Sequence, residues 1–306
     1  MSEVLTKSGY VAIIGSPNAG KSTLVNYLVG AKVTIVSHKV QTTRNRILGI
    51  YTYDDPPLHA QIILMDTPGL FAPKTRLDRA MVGAAWTGAE EADIVLFLFD
   101  VRKHFPNDED VANLKKLSEK NPKHVWLVLN KIDQIARDEL LELTKALNEA
   151  YGFQKTFMIS ALKGDGVKAL SKALAEYLPT NPFLYADDQM TDLPMRLLAA
   201  EITREKIFEF LHEELPYAIS VETEEWEEFD NGSIRIRQVI HVERDSQKGI
   251  VVGKQGVMLK RIGSSARHEL KKIIEADVHL KLFVRVSDGW RNDPIYFETW
   301  GLDPKA

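Results

Sequence analysis

The chain has 306 residues, of which 44% are hydrophobic and 27% are charged, and its formal net charge is −4. This balance excludes a disordered chain and allows two globular domains of ordinary size. There is no cysteine, which excludes disulfide bonds and thiolate metal sites and predicts a cytoplasmic protein. The N-terminus lacks an apolar signal core, and no apolar run approaches the roughly 20 residues that span a bilayer. Any membrane contact is therefore expected to be peripheral.

A glycine-rich loop is the first motif along the chain. Its sequence G-S-P-N-A-G-K-S fits the phosphate-loop pattern and lies between a strand-like run, 10–14, and a helix-like run, 22–29. Two glycines permit a tight loop whose N–H groups point at phosphate oxygens, and the helix N-terminus adds positive potential. Lys21 is expected to reach the β- and γ-phosphates, and the Ser22 hydroxyl to coordinate Mg²⁺. The nucleotide contacts predicted here are Gly15, Ser16, Pro17, Asn18, Ala19, Gly20, Lys21, Ser22 and Thr23.

The second motif, D-T-P-G, follows the buried-strand pattern at 61–65. Its aspartate is expected to hold Mg²⁺, and the N–H of its glycine to meet the γ-phosphate. The polar segment before residue 47 contains a threonine pair typical of a first switch, and the sequence leaves open which threonine contacts the metal. The nucleotide contacts predicted from both segments are Thr42, Thr43, Asp66, Thr67, Pro68 and Gly69. The predicted metal ligands are Ser22, Thr43 and Asp66, and the predicted catalytic residues are Lys21, Thr43, Asp66 and Gly69.

Leu70 follows this motif where some GTPases have the glutamine that orients the attacking water, so intrinsic hydrolysis is expected to be slow.

The third motif, N-K-I-D, determines which base is bound. The carboxylate of Asp133 can accept hydrogen bonds from the ring N–H and exocyclic amine of guanine, and adenine offers no such pair. Asn130 is expected to connect this loop to the phosphate loop, and the Lys131 side chain to lie along the purine ring. The strand-like run at 156–161 ends in Ser160 and Ala161, where a small residue lets a backbone N–H approach the guanine oxygen, and Leu162 is also a predicted nucleotide contact. The three motifs together predict a site for GTP and GDP.

Alternation of strand-like and helix-like runs predicts an α/β fold for residues 1–178, with a mostly parallel sheet and the nucleotide at the carboxyl ends of its strands. Residues 179–194 are rich in Pro, Asn and Asp and are predicted to form a linker. Residues 195–306 form the predicted second, smaller α+β domain, whose order is helix, two strands, two helices and strand. The dipeptide Asn231-Gly232 predicts a hairpin turn between the two strands.

Between the two helices of the second domain lies a G-x-x-G loop, Gly253 to Gly256. In this element order the loop resembles that of a type II KH domain, which binds the backbone of single-stranded nucleic acid. The residues expected to contact RNA are Gly253, Lys254, Gln255, Gly256, Lys260 and Arg261. The basic residues that crowd this end of the chain are Lys254, Lys260, Arg261, Arg267, Lys271, Lys272, Lys281, Arg285 and Arg291.

A P-loop GTPase domain followed by a type II KH domain resembles the Era family, and the resemblance covers nearly the whole chain. It implies binding near the 3′ end of small-subunit ribosomal RNA, a role in assembling the small ribosomal subunit, and partial association with the cytoplasmic face of the membrane. No DNA partner is expected. Asn18 is either an ordinary turn residue or, as in related potassium-activated GTPases, a residue that helps to hold K⁺ near the phosphates.

Two alternatives belong to other functional classes. One is a P-loop metabolic enzyme such as a nucleotide kinase, and N-K-I-D argues against it. The other is a GTPase whose C-terminal domain docks on protein or membrane through the amphipathic stretch 197–211, although core packing explains that pattern more economically.

Overall fold

The structure is a computed structural model that describes residues 6–37, 39, 42–44, 46–211, 215, 219–290 and 302–303. The chain divides into two compact units. The first contains the described residues of Met1–Thr34, Thr43–Asp192 and Phe297–Ala306. The second contains the described residues of Ile35–Thr42 and Leu193–Tyr296. Within the described part of the chain, no helix is both long and apolar enough to cross a membrane.

A six-stranded sheet forms the centre of the first unit, in the order β2-β3-β1-β4-β5-β6. Its strands are β1 Thr6–Ile14, β2 Ile47–Asp55, β3 Leu58–Asp66, β4 Ile94–Asp100, β5 Val125–Asn130 and β6 Lys155–Ile159. Only the β2–β3 pair is antiparallel. The inner strands β4 and β5 are apolar up to their last residue and fully buried, as expected for strands covered on both faces. The predicted α/β fold with a mostly parallel sheet is confirmed.

Five helices cover the two faces of this sheet. They are α1 Lys21–Val29, α2 Arg76–Glu91, α3 Asp108–Lys120, α4 Arg137–Ala150 and α5 Val167–Tyr177. Alternate residues of β1 enter different cores: Val11 packs in the cluster that contains residues of α1 and α5, whereas Ala12 packs in the cluster that contains residues of α2, α3 and α4. Because β1, β3, β4 and β5 are parallel, the loops at their carboxyl ends meet at one edge of the sheet.

The predicted linker, 179–194, is wrong over most of its length, because residues up to Asp192 belong to the first unit. The segment is bonded to the sheet rather than free of it. The buried Gln61 side chain donates to the Tyr185 carbonyl (2.9 Å) and accepts from its N–H (3.0 Å). Further along, the Ile50 N–H donates to the Met190 carbonyl (2.8 Å). Polar composition predicted a flexible joint, but the strand edge supplies partners for this backbone.

The second unit is built on a three-stranded sheet in the order β7-β8-β9. Its elements are α6 Met195–Phe210, β7 Ser220–Glu228, β8 Ile234–Val242, α7 Asp245–Val252, α8 Val257–Ile274 and β9 Val278–Val286. β7 and β8 are antiparallel, whereas β8 and β9 are parallel. The predicted hairpin turn is present, because the Gly232 N–H donates to the Phe229 carbonyl (2.8 Å). The predicted smaller KH-type α+β domain is confirmed.

One short segment departs from the predicted domain boundaries. Ile35–Thr42 follows α1 in the chain but groups with the second unit. The side chain of Ile35 is buried in the same cluster as Leu198 and Ile202 of α6. Apolar burial against α6, which sequence spacing does not reveal, assigns this segment to the second unit.

Candidate functional site

The phosphate loop connects β1 to α1 and depends on two glycines. Gly15 has a φ of 147°, and a Cβ there would lie 2.2 Å from the Leu98 carbonyl oxygen. Gly20 has a φ of 100°, and a Cβ there would lie 2.3 Å from Nδ2 of Asn130. No other residue fits either position, because the φ values are unfavourable for a side chain and no space is left. Thr23 continues the first turn of α1 and is half-buried.

Lys21 is the first residue of α1, and only 6% of its surface is exposed. Its ammonium group donates to the carbonyls of Gly15 and Ser16, both at 3.1 Å. Burial lowers the pKa of Lys21 to about 8, and the negative charge of Asp66 opposes this shift. The ammonium group is thus held inside the loop where the phosphates of a nucleotide are expected.

Asp66 ends β3 beside the first turn of α1 and is fully buried. Its Oδ2 accepts from the hydroxyls of Ser22 (2.7 Å) and Thr34 (2.8 Å), and Thr43 Oγ1 lies 3.4 Å away. Burial raises the pKa of Asp66, opposed by the Ser22 hydrogen bond and the charge of Lys21. Its other oxygen, Oδ1, is buried without a hydrogen-bond partner. Converging hydroxyls and a spare carboxylate oxygen fit Mg²⁺, which prefers oxygen ligands.

The structure distinguishes the two threonines that the sequence left open. The hydroxyl of Thr43 lies 3.1 Å from that of Ser22, so Thr43 belongs to the cluster around Asp66. The hydroxyl of Thr42 instead donates to the carbonyl of Lys39 (2.6 Å). The structure therefore supports Thr43 as a metal ligand and does not bring the Thr42 side chain to the site.

The D-T-P-G motif lies against the phosphate loop. Thr67 Oγ1 donates to the Ile13 carbonyl (2.7 Å), and Pro68 is buried. A Cβ on Gly69 would lie 2.8 Å from Cγ of Pro17, so the motif approaches the loop as closely as glycine allows. The next residue, Leu70, donates its N–H to the Gly15 carbonyl (2.9 Å), and its side chain is fully buried in the core. Leu70 is thus a packing residue.

Asn130, at the end of β5, connects three loops. Its Nδ2 donates to the Ala19 carbonyl of the phosphate loop (2.7 Å), which is the connection predicted from the sequence. Its Oδ1 accepts from the N–H groups of Lys131 (2.8 Å) and Ala161 (2.9 Å). The bond from the Ala161 N–H holds the loop after β6 against N-K-I-D, and the expected approach of this loop to the guanine oxygen stays a prediction. One side chain fixes the phosphate loop, N-K-I-D and the loop after β6.

Lys131 is fixed by a residue that the sequence analysis missed. Its ammonium group donates to the Asn18 carbonyl (2.6 Å) and to Oδ2 of Asp100 (2.7 Å). Burial would raise the pKa of Asp100, but hydrogen bonds from Arg102 and Lys131 outweigh it, so the pKa lies below its usual value. Asp100 ends a buried strand, as Asp66 does, and that shared position is the signal that could have revealed it.

Asp133 is surrounded by hydrogen-bond donors. A hydrogen bond from Ser160 is the main cause that holds the pKa of Asp133 below its usual value, and Lys163 adds to it. Lys163 Nζ lies 3.3 Å from Oδ2 of Asp133 and was not predicted as a site residue. Leu162 is exposed beside these residues. Asp133 is thus kept ionised, as an acceptor for guanine must be.

The KH loop lies between α7 and α8 of the second unit. Its left-handed turn comes from φ values of 71° at Gly253, 53° at Gln255 and 78° at Gly256. A Cβ at Gly253 would lie 2.7 Å from Cβ of Met258, so that glycine is required. Lys254 and Gln255 are exposed. The backbone of the loop is thus open to a ligand as large as a nucleic-acid strand.

Basic side chains continue from this loop along the exposed side of α8. The Arg261 guanidinium lies 4.2 Å from the centre of the Phe210 ring. A groove of about 920 Å³ runs along this side, and its basic lining residues are Lys260, Arg261, Arg267, His268, Lys271 and His279. Lys271 is paired with Asp277 at 2.5 Å. Arg291, also expected in the basic patch, lies outside the described residues.

Comparison with known proteins gives the same two domains. A family model described as a 50S ribosome-binding GTPase matches residues 10–131, and a KH domain model matches residues 214–291. The GTPase Era of Sinorhizobium medicae is 55% identical over 98% of this chain and 95% of its own length. That of Brucella suis biovar 1 is 56% identical over 97% of this chain and 94% of its own length.

The chain belongs to the GTPase Era family.

Two solved Era structures share the whole fold. An Era variant of Aquifex aeolicus bound to GDP and AlF4⁻ has a TM-score of 0.90 and 40% identity, covering 96% of this chain and 99% of its own. Era in complex with MgGDPNP and nucleotides 1506–1542 of 16S ribosomal RNA has a TM-score of 0.90 and 41% identity. The match covers 97% of this chain and 99% of that Era chain. As a member of the Era family, the chain is a GTPase. The nucleotide-kinase alternative is excluded.

Proposed function

We propose that this protein is a GTP-controlled switch that binds 16S ribosomal RNA through its KH domain and acts in assembly of the small ribosomal subunit. The observation that carries the proposal is the Era complex with nucleotides 1506–1542, whose fold matches 97% of this chain. The open G-x-x-G loop and the basic side of α8 give this chain the means to bind such RNA. The net charge of −4 makes that local basic patch necessary.

Mg²⁺ accompanies GDPNP in the Era relative. In this chain, the residues proposed to hold it are Ser22, Thr43 and Asp66. Bound Mg²⁺ would neutralise charge on the β- and γ-phosphates. The loop N–H groups and Lys21 bind the same phosphates, and Asp133 selects guanine. The position directly after D-T-P-G is the buried, apolar Leu70, which cannot orient the attacking water, and this supports slow intrinsic hydrolysis.

Contacts of Ile35–Thr42 within the second unit support the switch. The N–H of Val36 donates to Oε1 of Glu205 on α6 (2.8 Å), and Arg204 donates to the Thr42 carbonyl. Thr42 is followed directly by Thr43, a proposed Mg²⁺ ligand. Recruitment of Thr43 by GTP would therefore act on a segment that α6 holds, and α6 belongs to the KH domain.

The switch is tested by RNA affinity in two nucleotide states. We expect an RNA with the sequence of nucleotides 1506–1542 to bind about tenfold more tightly with MgGDPNP than with MgGDP, a typical coupling between sites. RNA must then strengthen GDPNP binding by the same factor. Equal RNA affinities would disprove the switch and leave RNA binding intact. No binding in either state would favour the alternative in which the C-terminal domain docks mainly on protein or membrane.

We also propose that K⁺ assists hydrolysis through Asn18. Asn18 has a φ of 63°, and its carbonyl already accepts a hydrogen bond from a cation, the ammonium group of Lys131. Hydrolysis is expected to be faster in KCl than in NaCl at equal ionic strength, and Asn18→Ala is expected to remove the difference. Equal rates in both salts would leave Asn18 as a turn residue.

The location of the protein is likewise a proposal: cytoplasmic, with a part bound peripherally to the cytoplasmic face of the membrane. Cell fractionation tests it. We expect a membrane-associated fraction that 1 M salt releases, because screening at about that concentration removes surface electrostatic attraction. A fraction released only by detergent would contradict peripheral binding.

A further inference from the structure

The connection between β4 and α3 contains none of the three sequence motifs, yet it reaches the phosphate loop. After Asp100, residues Val101–Lys103 form a single 3-10 turn, and α3 begins at Asp108. Lys103 of this connection and Asp110 of the first turn of α3 both contact the phosphate-loop residue Ser16.

Asp110, Lys103 and Ser16 form a closed set of hydrogen bonds. Asp110 is 1% exposed, and its Oδ1 accepts from the Ser16 hydroxyl at 2.6 Å. The Lys103 ammonium group donates to both oxygens of Asp110 at 2.9 Å and to the Ser16 hydroxyl at 3.1 Å. Three functional groups from three parts of the chain therefore fix one another.

The carboxylate is itself held rigidly by the start of α3. Asn107 and Asp110 form a reciprocal cap, in which the Asp110 N–H donates to Asn107 Oδ1 (2.9 Å) and the Asn107 N–H donates to Asp110 Oδ2 (3.2 Å). Such a cap fixes the first turn of a helix. Ser16 is thus hydrogen-bonded to the rigid start of a helix rather than to another loop.

A role in stability alone explains this arrangement poorly, because an ion pair between a buried carboxylate and a partly exposed lysine contributes little net stability compared with apolar packing. Orientation explains it better, since a phosphate loop binds through N–H groups that must all point inward before the ligand arrives. We propose that Asp110 and Lys103 are positioning residues of the GTPase reaction, which hold Ser16 so that the phosphate loop is preformed for GDP and GTP.

The test measures nucleotide affinity and turnover separately. In Asp110→Ala we expect dissociation constants for GDP and GTP to rise by the same factor, about ten- to a hundredfold, as for loss of a hydrogen bond to a charged group. The kcat should change less than threefold, because the loop contacts the phosphates equally before and during the reaction. The matched control is Asp108→Asn, which removes an exposed charge from the same helical turn and should bind GDP as the unaltered protein does.

A double-mutant cycle tests the connection to Ser16. If Asp110 acts through that hydroxyl, Ser16→Ala combined with Asp110→Ala should bind GDP no more weakly than Asp110→Ala alone. Independent, additive losses would overturn the proposal. So would an Asp110→Ala protein that melts at a lower temperature but, while folded, binds GDP normally.

If Asp110→Ala does not fold, Lys103→Met provides the second test. Methionine keeps the length and packing of the side chain but leaves the Asp110 carboxylate without its cation. We expect a rise of at least tenfold in the GDP dissociation constant, again with kcat preserved. An unchanged dissociation constant in folded Lys103→Met would overturn the proposal.

Discussion

The nucleotide site and the KH loop are both proposed to bind phosphates, but they are built differently. At the nucleotide site, Lys21, Asp66 and Asn130 are buried and hydrogen-bonded to other residues of the site. In the KH loop, Lys254 and Gln255 are exposed, and the shape comes from backbone angles at Gly253, Gln255 and Gly256. One site positions a small ligand with many coupled groups, whereas the other leaves its backbone open to a long one.

This difference has an energetic consequence. Removing one group from a buried, bonded set leaves its partners unsatisfied, so each loss is large. Removing one exposed cation from a surface that follows a strand removes one phosphate contact among several. Single substitutions should therefore cause large losses of nucleotide affinity at the nucleotide site and small losses of RNA affinity at the KH loop.

The largest effect is expected from Asp133→Asn. Two hydrogen bonds from guanine to a charged acceptor are lost, at about 1.5–3 kcal/mol each, so GDP affinity should fall by roughly 10²–10⁴-fold. Xanthosine diphosphate should bind instead, because the amide can donate where the carboxylate accepted. Equilibrium binding of both nucleotides measures this, with the exposed Asp138→Asn as control. Retained preference for GDP would show that another group recognises the base.

The next largest effect concerns Mg²⁺. The amide oxygen introduced by Asp66→Asn can still accept hydrogen bonds from Ser22 and Thr43, but the negative charge beside them is lost. The Mg²⁺ concentration for half-maximal GTP hydrolysis should rise about 10- to 100-fold, a typical loss for a disturbed metal site. A magnesium titration of hydrolysis measures the shift. An unaltered midpoint would exclude Asp66 as a ligand.

A smaller effect follows from the pKa of Lys21, about 8 in the nucleotide-free protein. Bound phosphates need the charged ammonium, so above pH 8 the free protein must regain a proton when GDP binds. In EDTA, the GDP dissociation constant should rise from pH 8 to pH 9, approaching tenfold per unit at higher pH. Lys21→Arg, which stays charged throughout, should give a flat profile. A flat profile in the unaltered protein would mean that Lys21 is protonated well above pH 8.

The smallest effect is expected at the KH loop. Lys254→Ala should weaken RNA binding a few-fold and reduce the slope of log affinity against log salt by about 0.7, the value for one phosphate contact on a single strand. Lys145→Ala, an exposed lysine of α4, is the control. An unchanged slope would remove Lys254 from the phosphate contacts. A loss as large as that of Asp133→Asn would break the contrast between the two sites.

Much of the nucleotide site could be predicted from the sequence, because each motif directly follows a buried strand. Parallel strands bring their carboxyl ends to one edge, so Lys21, Asp66 and Asn130 had to lie close together. The order of helices and strands in the KH domain could be predicted equally well, since the turn at Gly232 and the G-x-x-G loop mark where its elements end.

Three features escaped prediction for one reason. Residues 179–192 bond to β2 and β3, Ile35–Thr42 packs with α6, and Asp100 binds Lys131, although the sequence separations are long. Local composition indicates only whether a segment can fold by itself. These three features depend on partners that are distant in the sequence, so local composition could not predict them.

The two domains, the preference for guanine and the positions of the two glycine-rich loops follow from short-range patterns in the chain, in which neighbouring residues have fixed geometry. Folding of the whole chain was needed to show which threonine meets Asp66, which residues bond to Ser16 of the phosphate loop, and which unit Ile35–Thr42 joins. Those outcomes depend on distances between side chains far apart in the chain, and packing of the whole domain sets such distances.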